Sequence, residues 1–554
     1  MNGISVRLAI VCLALLTGSE LAGALPVERP LPPAATTGGT VIGLVLSSGV
    51  KAWLGVPFAK PPTGTLRWQR PQPLAWSGVW NADRKMPECP QVLRAHDINH
   101  YFGEEATSED CLYLNIWAPA RSDSRSRLPV IVYIYGGGFT IGSSGIPTYG
   151  GEIIAQRGVV FVNFNYRVGV LGFLAHPELT REQGGHSGDY GLLDQALALR
   201  WIHDNIARFG GDPQRILIIG QSAGAGSVGY QLVSPLAKGL FSRAMMSSGC
   251  NWTGPIASLA DGEKTGLAIQ RYLGAASLAE LRNIPSDRIV AAQLEGQIGV
   301  KVTKGVRAGP VVDGYFLPRT PREILEAGAM NDVPIIASFN KDESVSPLMS
   351  ARTVEEYREI ARRMYGADAN AFLALYPVAS AVDIRAVGGQ VARESRLESS
   401  ARTCAQLQTR YNHSKAYIDL FSRRHAFAPG VHISDYDVAT TGAYHTADIP
   451  FWFGTLDAFN LQRKTRVWQR ADYELSGLMM DALVTFAATG SPSTAAVSWP
   501  AWSADREVKL EWGGRQLAEV VPINVAGIEW LNSHPARHVD AGHQFGRSTG
   551  GPVD

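Results

Sequence analysis

Ile216-Leu217-Ile218-Ile219-Gly220-Gln221-Ser222-Ala223-Gly224 joins four consecutive apolar residues to a serine framed by two glycines. An apolar run of that length without polar alternation suits a strand buried on both faces of a parallel sheet. The glycines suit a tight, strained strand-to-helix turn that holds the Ser222 hydroxyl above the sheet, within reach of a base and a substrate. A bare G-x-S-x-G arises by chance; after a strand and before a helix it marks Ser222 as a nucleophile rather than a helix-cap serine. Overlapping it, Gly224-Ala225-Gly226-Ser227-Val228-Gly229 spells the dinucleotide fingerprint. Such a site wants an acidic residue about 20 positions further on to hold the ribose. Residues 231–250 contain neither Asp nor Glu, which excludes that reading.

Similar apolar runs occupy residues 130–134, 159–164, 244–247, 333–337 and 416–420. Between two of them Leu193, Leu197, Ile202, Ile206 and Phe209 recur at helical spacing, the mark of a crossover helix. The class is therefore α/β, with a large, mostly parallel central sheet. A length of 554 residues would suggest three or four domains of about 150 each. No internal repeat and no mid-chain linker supports that division, so residues 25–554 are expected to form one domain with inserted loops and helices. A hydrophobic content of 45% with 13 Trp excludes disordered, collagenous and coiled-coil classes. Residues 26–39, rich in Pro, Ala, Thr and Gly, and the polar residues 534–554 are expected to be loosely ordered. With 51 Lys+Arg against 50 Asp+Glu, the net charge of +1 gives no electrostatic reason to expect nucleic acid or an anionic membrane as partner.

At the amino end, Arg7 precedes apolar residues 8–16, and Ala22-Gly23-Ala24 offers a small-x-small cleavage pattern. Residues 1–24 read as a secretory signal peptide. The apolar run is about half of the ~20 residues that span a bilayer, and no later stretch is long enough. A secreted or periplasmic location follows, and there the four cysteines left after removal of Cys12 favour disulfides over metal ligation. Cys89 and Cys111 are 22 positions apart, and closing that loop stabilises by about 3 kcal/mol in the chain-entropy treatment. For Cys250 and Cys404, 154 positions apart, a bridge and two buried free thiols stand equal.

A serine hydroxyl is a weak nucleophile at neutral pH, so it needs a base, and tetrahedral chemistry needs donors for a developing oxyanion. Tyr135-Gly136-Gly137-Gly138-Phe139 follows the run at 130–134. Three glycines let backbone N–H groups point into a site, and the Gly-Lys-Ser/Thr of a phosphate loop is missing. The donors would be the N–H groups of Gly137, Gly138 and Ala223. In this arrangement the acid and then the histidine follow the serine in chain order. Asn340-Lys341-Asp342-Glu343-Ser344 is a turn after a strand pattern, and chemistry alone leaves both Asp342 and Glu343 open. Among the later histidines, His534, His538 and His543 belong to the tail, and His413, His425 and His432 lie in segments rich in charge. His445, between Gly442-Ala443-Tyr444 and Phe451-Trp452-Phe453, is the best-placed base.

With these residues in view, the chain resembles the type-B carboxylesterase family, which includes the cholinesterases and many bacterial esterases. The resemblance covers nearly the whole mature chain. Phe209-Gly210-Gly211-Asp212-Pro213 followed by residues 216–224 is similar to the family's serine signature, and Ser108-Glu109-Asp110-Cys111-Leu112-Tyr113-Leu114-Asn115 to its second. Gly55-Val56-Pro57-Phe58-Ala59-Lys60-Pro61-Pro62, Asn165-Tyr166-Arg167-Val168-Gly169 and Phe486-Ala487-Ala488-Thr489-Gly490 also look familial. The resemblance implies an α/β-hydrolase fold, a Cys89–Cys111 bridge, Glu343 rather than Asp342 as the acid, and His445 as the base. Three positions depart from the family pattern: Gln221 stands where many members have Glu, Asp189 where Asn is usual, and Cys404 lacks its carboxyl-terminal partner. The cholinesterase gorge tryptophan has no counterpart before Cys111, where Tyr101 and Phe102 occur instead.

The expectation is an exported serine carboxylesterase that works through an acyl-enzyme, with a small-molecule ester and water as its reactants and no need of a metal or organic cofactor. A lipase or sterol-ester hydrolase is the nearest alternative, and an amidase or carbamate hydrolase a further one. A non-catalytic adhesion relative is disfavoured by the intact triad. Trp252 and Phe139 could wall an acyl pocket or serve the core. The natural ester and the oligomeric state are not written in the sequence. The Asn251-Trp252-Thr253 and Asn412-His413-Ser414 sequons matter only in a eukaryotic host.

Overall fold

The structure is a computed structural model that describes residues 29–91, 106–294, 308–433 and 437–537. In chain order the strands of its main sheet are β1 (Arg29–Pro30), β2 (Leu44–Val45), β3 (Lys51–Pro57), β4 (Tyr113–Ala118), β5 (Leu128–Ile134), β6 (Val160–Phe164), β7 (Gly211–Gln221), β8 (Arg243–Ser247), β9 (Ile335–Asn340), β10 (Ala416–Phe421), β11 (Val508–Trp512) and β12 (Ala518–Pro522). In space they lie in the order β1-β2-β3-β4-β6-β5-β7-β8-β9-β10-β11-β12. The six apolar runs are the six strands β5 to β10, and these pair parallel throughout. Ile218 sits opposite Val132 on one side and Ala244 on the other, and all three are fully buried. Burial on both faces is why these strands show no polar alternation. The antiparallel strands β1 to β4 and β12 close the two sides.

The crossover helix is α1 (Tyr190–Asn205), which continues through a short 3-10 turn to Phe209. Helix α2 (Ala223–Val233) packs on β7 and β8, α3 (Leu397–Tyr411) on β9 and β10, and α4 (Arg470–Thr489) on β5 and β7. A second, smaller cluster around Leu348, Tyr357, Ile360, Phe372 and Tyr376 lies beside the main core.

Residues 29–39 are not the loose leader their composition suggests. Arg29 and Pro30 pair with Val45 and Leu44, and Ala34–Ala35 pairs with Thr40–Ile42 in a separate three-stranded sheet. Leu31 is buried, and Thr37 N donates to Asn205 Oδ1 at 2.8 Å. Backbone pairing, which composition does not report, ties the segment down. At the other end, His534 stacks on Trp530 and Arg537 N donates to Met364 O at 2.9 Å. Residues 1–28, which include the expected signal peptide at 1–24, and the tail from 538 onward lie outside the described residues.

Two disulfides are formed, Cys89–Cys111 and Cys250–Cys404. The second settles the alternative that spacing left open: Cys250 follows β8 and Cys404 lies on α3, and the fold brings them together. Residues 136–138, 222, 343 and 445 all lie beyond the carboxyl ends of the parallel strands β5, β7, β9 and β10, where open parallel sheets place their ligands.

Candidate active site

Ser222 stands between β7 and α2 with φ 57° and ψ −123°, a conformation a non-glycine residue holds only when its surroundings enforce it. They do so at short range. A Cβ on Gly224 would lie 2.1 Å from Ile134 O, so only glycine lets α2 start against β5. A Cβ on Gly136 would lie 2.4 Å from Gln221 O and 3.0 Å from Ser222 Cβ, which presses the glycine loop against the serine turn. Ser222 N donates to Ser247 O at 2.8 Å, and Gly226 N donates to Ser222 O at 3.0 Å. The turn is thereby pinned from β8 and from its own helix.

Gly137 and Gly138 both have positive φ, 114° and 62°. Their N–H groups make no hydrogen bond among the described residues, and that of Ala223 is the first of its helix, with no intrahelical acceptor. Three partly exposed residues in two segments, the glycine loop and the start of α2, therefore offer donors beside Ser222.

Glu343 Oε2 meets His445 Nδ1 at 2.5 Å. The carboxylate is fully buried, while the imidazole side chain is 34% exposed. The other oxygen, Oε1, accepts from Asn340 N at 2.6 Å and Ser248 Oγ at 2.8 Å. Burial alone pushes the imidazole towards lower pKa, but the hydrogen bond and charge of Glu343 outweigh it, and the His445 pKa ends raised above its ordinary value. Asp342, equal to Glu343 on chemistry, is used differently. Its Oδ2 accepts from Ala443 N at 2.8 Å and its N–H donates to Ala443 O at 3.0 Å. It laces the histidine's loop to the turn that carries Glu343.

Over the face of the imidazole lies the Gln221 amide nitrogen, 3.1 Å from Nε2 and 3.4 Å from Nδ1. No hydrogen bond joins Ser222 Oγ to His445 among the described residues.

Residues that carry no motif in the sequence support this arrangement. Ser248, in a left-handed conformation with φ 56°, reaches Glu343. Asp448 is completely buried, accepts from Ser247 Oγ at 2.7 Å, Asn340 Nδ2 at 3.1 Å and Trp452 Nε1 at 3.2 Å, and is pushed to higher pKa by that burial. His425 and Arg466 hold the loop itself. Arg466 Nη2 donates to Tyr444 Oη at 3.3 Å, Tyr444 Oη meets His425 Nδ1 at 2.9 Å, and His425 Nε2 meets Ala447 O at 2.9 Å. Burial, with Arg466 adding to it, pushes the His425 pKa well down, so this histidine is a neutral strut. The one signal in the sequence was a set of polar residues, Ser247, Ser248 and Asp448, set close to apolar runs.

The remaining candidates fall into place. Gly224 to Gly229 lie inside α2 as packing positions. Trp252 is buried against Gly229 at the back of α2 and serves the core. Phe139 is half-buried beside Gly226 and packs edge-on to Phe173. Asp189 is fully buried with φ 38°, accepts from Val311 N at 3.0 Å and is pushed well up in pKa by burial. Tyr101 and Phe102 lie outside the described residues.

A mostly parallel sheet with flanking helices and a strained serine at a strand-to-helix turn is the fold of an α/β hydrolase. Residues 32–516 match the Carboxylesterase family, and the chain belongs to that family. It is 34% identical over 511 residues, 90% of each chain, to the fumonisin B1 esterase of Sphingopyxis macrogoltabida. It is 31% identical to the para-nitrobenzyl esterase of Bacillus subtilis (strain 168), covering 82% of this chain and 89% of that one. A solved structure of a PNB esterase superimposes with a TM-score of 0.71 at 28% identity, covering 90% of this chain and 98% of the other. The protein is a serine hydrolase acting on carboxylic esters.

Proposed function

We propose that the protein is an exported carboxylesterase in which Ser222, His445 and Glu343 form the catalytic triad. The observation that carries the assignment is the 2.5 Å contact from buried Glu343 to His445 Nδ1, made beside a serine held in a strained turn. Glu343 fixes the tautomer with the proton on Nδ1, which leaves the Nε2 lone pair to take the Ser222 proton as Oγ attacks the ester carbonyl. The N–H groups of Gly137, Gly138 and Ala223 receive the oxyanion. The imidazolium, stabilised by Glu343, returns its proton to the leaving alcohol, and water deacylates the serine by the same route. Export is supported by the amino-terminal signal pattern and by two disulfides, which persist in oxidising compartments. Among the described residues no helix is long and apolar enough to cross a membrane.

The test is a panel of p-nitrophenyl esters from acetate to palmitate, run with the parent and Ser222→Ala. The variant is expected to lose at least ~10⁴-fold in kcat/KM; full retention of activity would remove Ser222 from the mechanism. A preference for short soluble chains supports a carboxylesterase, and a gain on long insoluble chains supports a lipase.

A further inference from the structure

The helix Ile384–Glu394 touches both loops that carry the proposed acid and base. Its Arg385 Nη2 donates to Thr440 O at 3.1 Å, in the loop that leads to His445, and its Arg393 Nη1 reaches Lys341 O at 3.5 Å, in the turn that carries Glu343. A Cβ on Gly388 would come within 2.9 Å of Met349 Cγ, so the helix also presses on the short turn Pro347–Ser350. Where this helix ends, the chain turns into α3 through Arg396, which holds φ −138° and ψ −81°. Arg396 N donates to Arg393 O at 3.2 Å and Ser400 N donates to Arg396 O at 2.9 Å, so the backbone is fixed while the residue is exposed. Neighbouring basic side chains are committed: Arg393 Nε to Glu398 Oε2 at 3.1 Å, Arg402 Nε to Glu507 Oε2 at 2.6 Å and Lys341 Nζ to Glu511 Oε1 at 4.0 Å. The Arg396 side chain has no hydrogen bond or ion pair among the described residues. Its positive charge nevertheless reaches the imidazole of His445, whose protonation it opposes.

A guanidinium that is exposed, unpaired and within electrostatic reach of the general base offers two parallel N–H donors to a carboxylate on a substrate. We propose that Arg396 is a specificity-determining residue that selects esters carrying a free carboxylate, such as half-esters of dicarboxylic acids, by pairing with that carboxylate while the ester carbonyl lies at Ser222. The proposal rests on the triad proposed above and adds the substrate class. The carboxylate of Glu343 does not compete for Arg396, since it is fully buried and its two oxygens are held by His445, Asn340 and Ser248. The net charge of +1 supplies no long-range field that would draw an anionic ester in, so the selection is local to this one side chain.

Matched pairs of esters test this. Mono-p-nitrophenyl adipate against p-nitrophenyl hexanoate puts the carboxylate on the acyl side, and p-acetoxybenzoate against p-tolyl acetate puts it on the alcohol side. In at least one pair Arg396→Gln should lower kcat/KM on the carboxylate ester about tenfold, mainly through KM, and leave the neutral counterpart within about twofold. Arg396→Lys, which keeps the charge, should recover most of that loss. In the parent, added salt should narrow the preference for the carboxylate ester, a readout that needs no variant. Rates are compared on the pH plateau, because removing the cation also lifts the His445 pKa. The pair that responds tells which side of the ester Arg396 reads. An unchanged kcat/KM of the Gln variant on both carboxylate esters, or an equal loss on both members of each pair, overturns the proposal and leaves the triad standing; an active Ser222→Ala overturns the triad itself.

Discussion

At His445 two opposing effects set the pH behaviour. Burial disfavours the imidazolium, Glu343 favours it, and Glu343 wins. In the proposed triad this base works only when neutral, so activity is expected to fall as pH drops through a value above the ordinary 6.5 or so of histidine. Stability runs the other way. A group whose folded pKa is raised contributes stability that is fully present below its unfolded value of about 6.5 and is lost as pH rises through the folded value. Between those two values the enzyme therefore gains activity as this contribution fades. Glu343→Gln should lower the acid limb and cut kcat by about 10³–10⁴-fold, by analogy with loss of the acid's charge in other triads; a pH–rate profile of the variant with an unshifted limb would contradict the assignment. In the sequence Ser222 and the glycine loop are marked by the strands and glycines around them, whereas the proposed acid, Glu343, is preferred to Asp342 only through the family resemblance. Asp448 and Ser248 were not legible there, because a polar residue near apolar runs carries no mark of what it will face after a chain reversal.

The familial motifs, once folded, turn out to be mostly joints between elements. Arg167, between β6 and α1, is buried, and its Nε and Nη2 reach Asp194 of α1 at 2.8 and 2.7 Å, while its own N–H meets the same carboxylate at 3.0 Å. Arg67 likewise pairs through Nε with Glu109 at 2.7 Å, and Asn115 Oδ1 accepts from Gly55 N at 2.9 Å. Removing one partner of a buried pair strands the other charge, so Asp194→Ala is expected to destabilise by about 3–5 kcal/mol. Denaturant unfolding followed by Trp fluorescence would read this, and a loss under about 1 kcal/mol would mean that Arg167 finds water instead. The central strands β5 to β10 were readable because burial on both faces suppresses polar residues. The sides of the sheet were not. Strand β12 alternates partly exposed residues, and β1 and β2 have two residues each, too few for any periodicity to register.

On the scale of the whole molecule, groups that are more than 300 positions apart in the chain, from Gly136 to His445, converge beyond the ends of four parallel strands. The Cys250–Cys404 bridge is placed to hold that convergence. Cys250 lies two residues beyond Ser248, which hydrogen-bonds Glu343, and Cys404 anchors this segment to α3 behind β9 and β10. Spacing alone could not decide the pairing, because a separation of 154 positions does not show whether the fold brings the two cysteines together. Once closed, the long loop constrains the unfolded chain more than the short one, by about 5 kcal/mol against about 3 kcal/mol for Cys89–Cys111 in the chain-entropy treatment. The double variant Cys250→Ser/Cys404→Ser should therefore show the lower apparent unfolding temperature of the two double-serine variants at a fixed scan rate. It should also lose more activity at moderate temperature, since the freed segment carries the Ser248 contact to the acid. A Cys89→Ser/Cys111→Ser protein that proved the less stable and less active of the two would show that the short bridge, not the long one, guards the site.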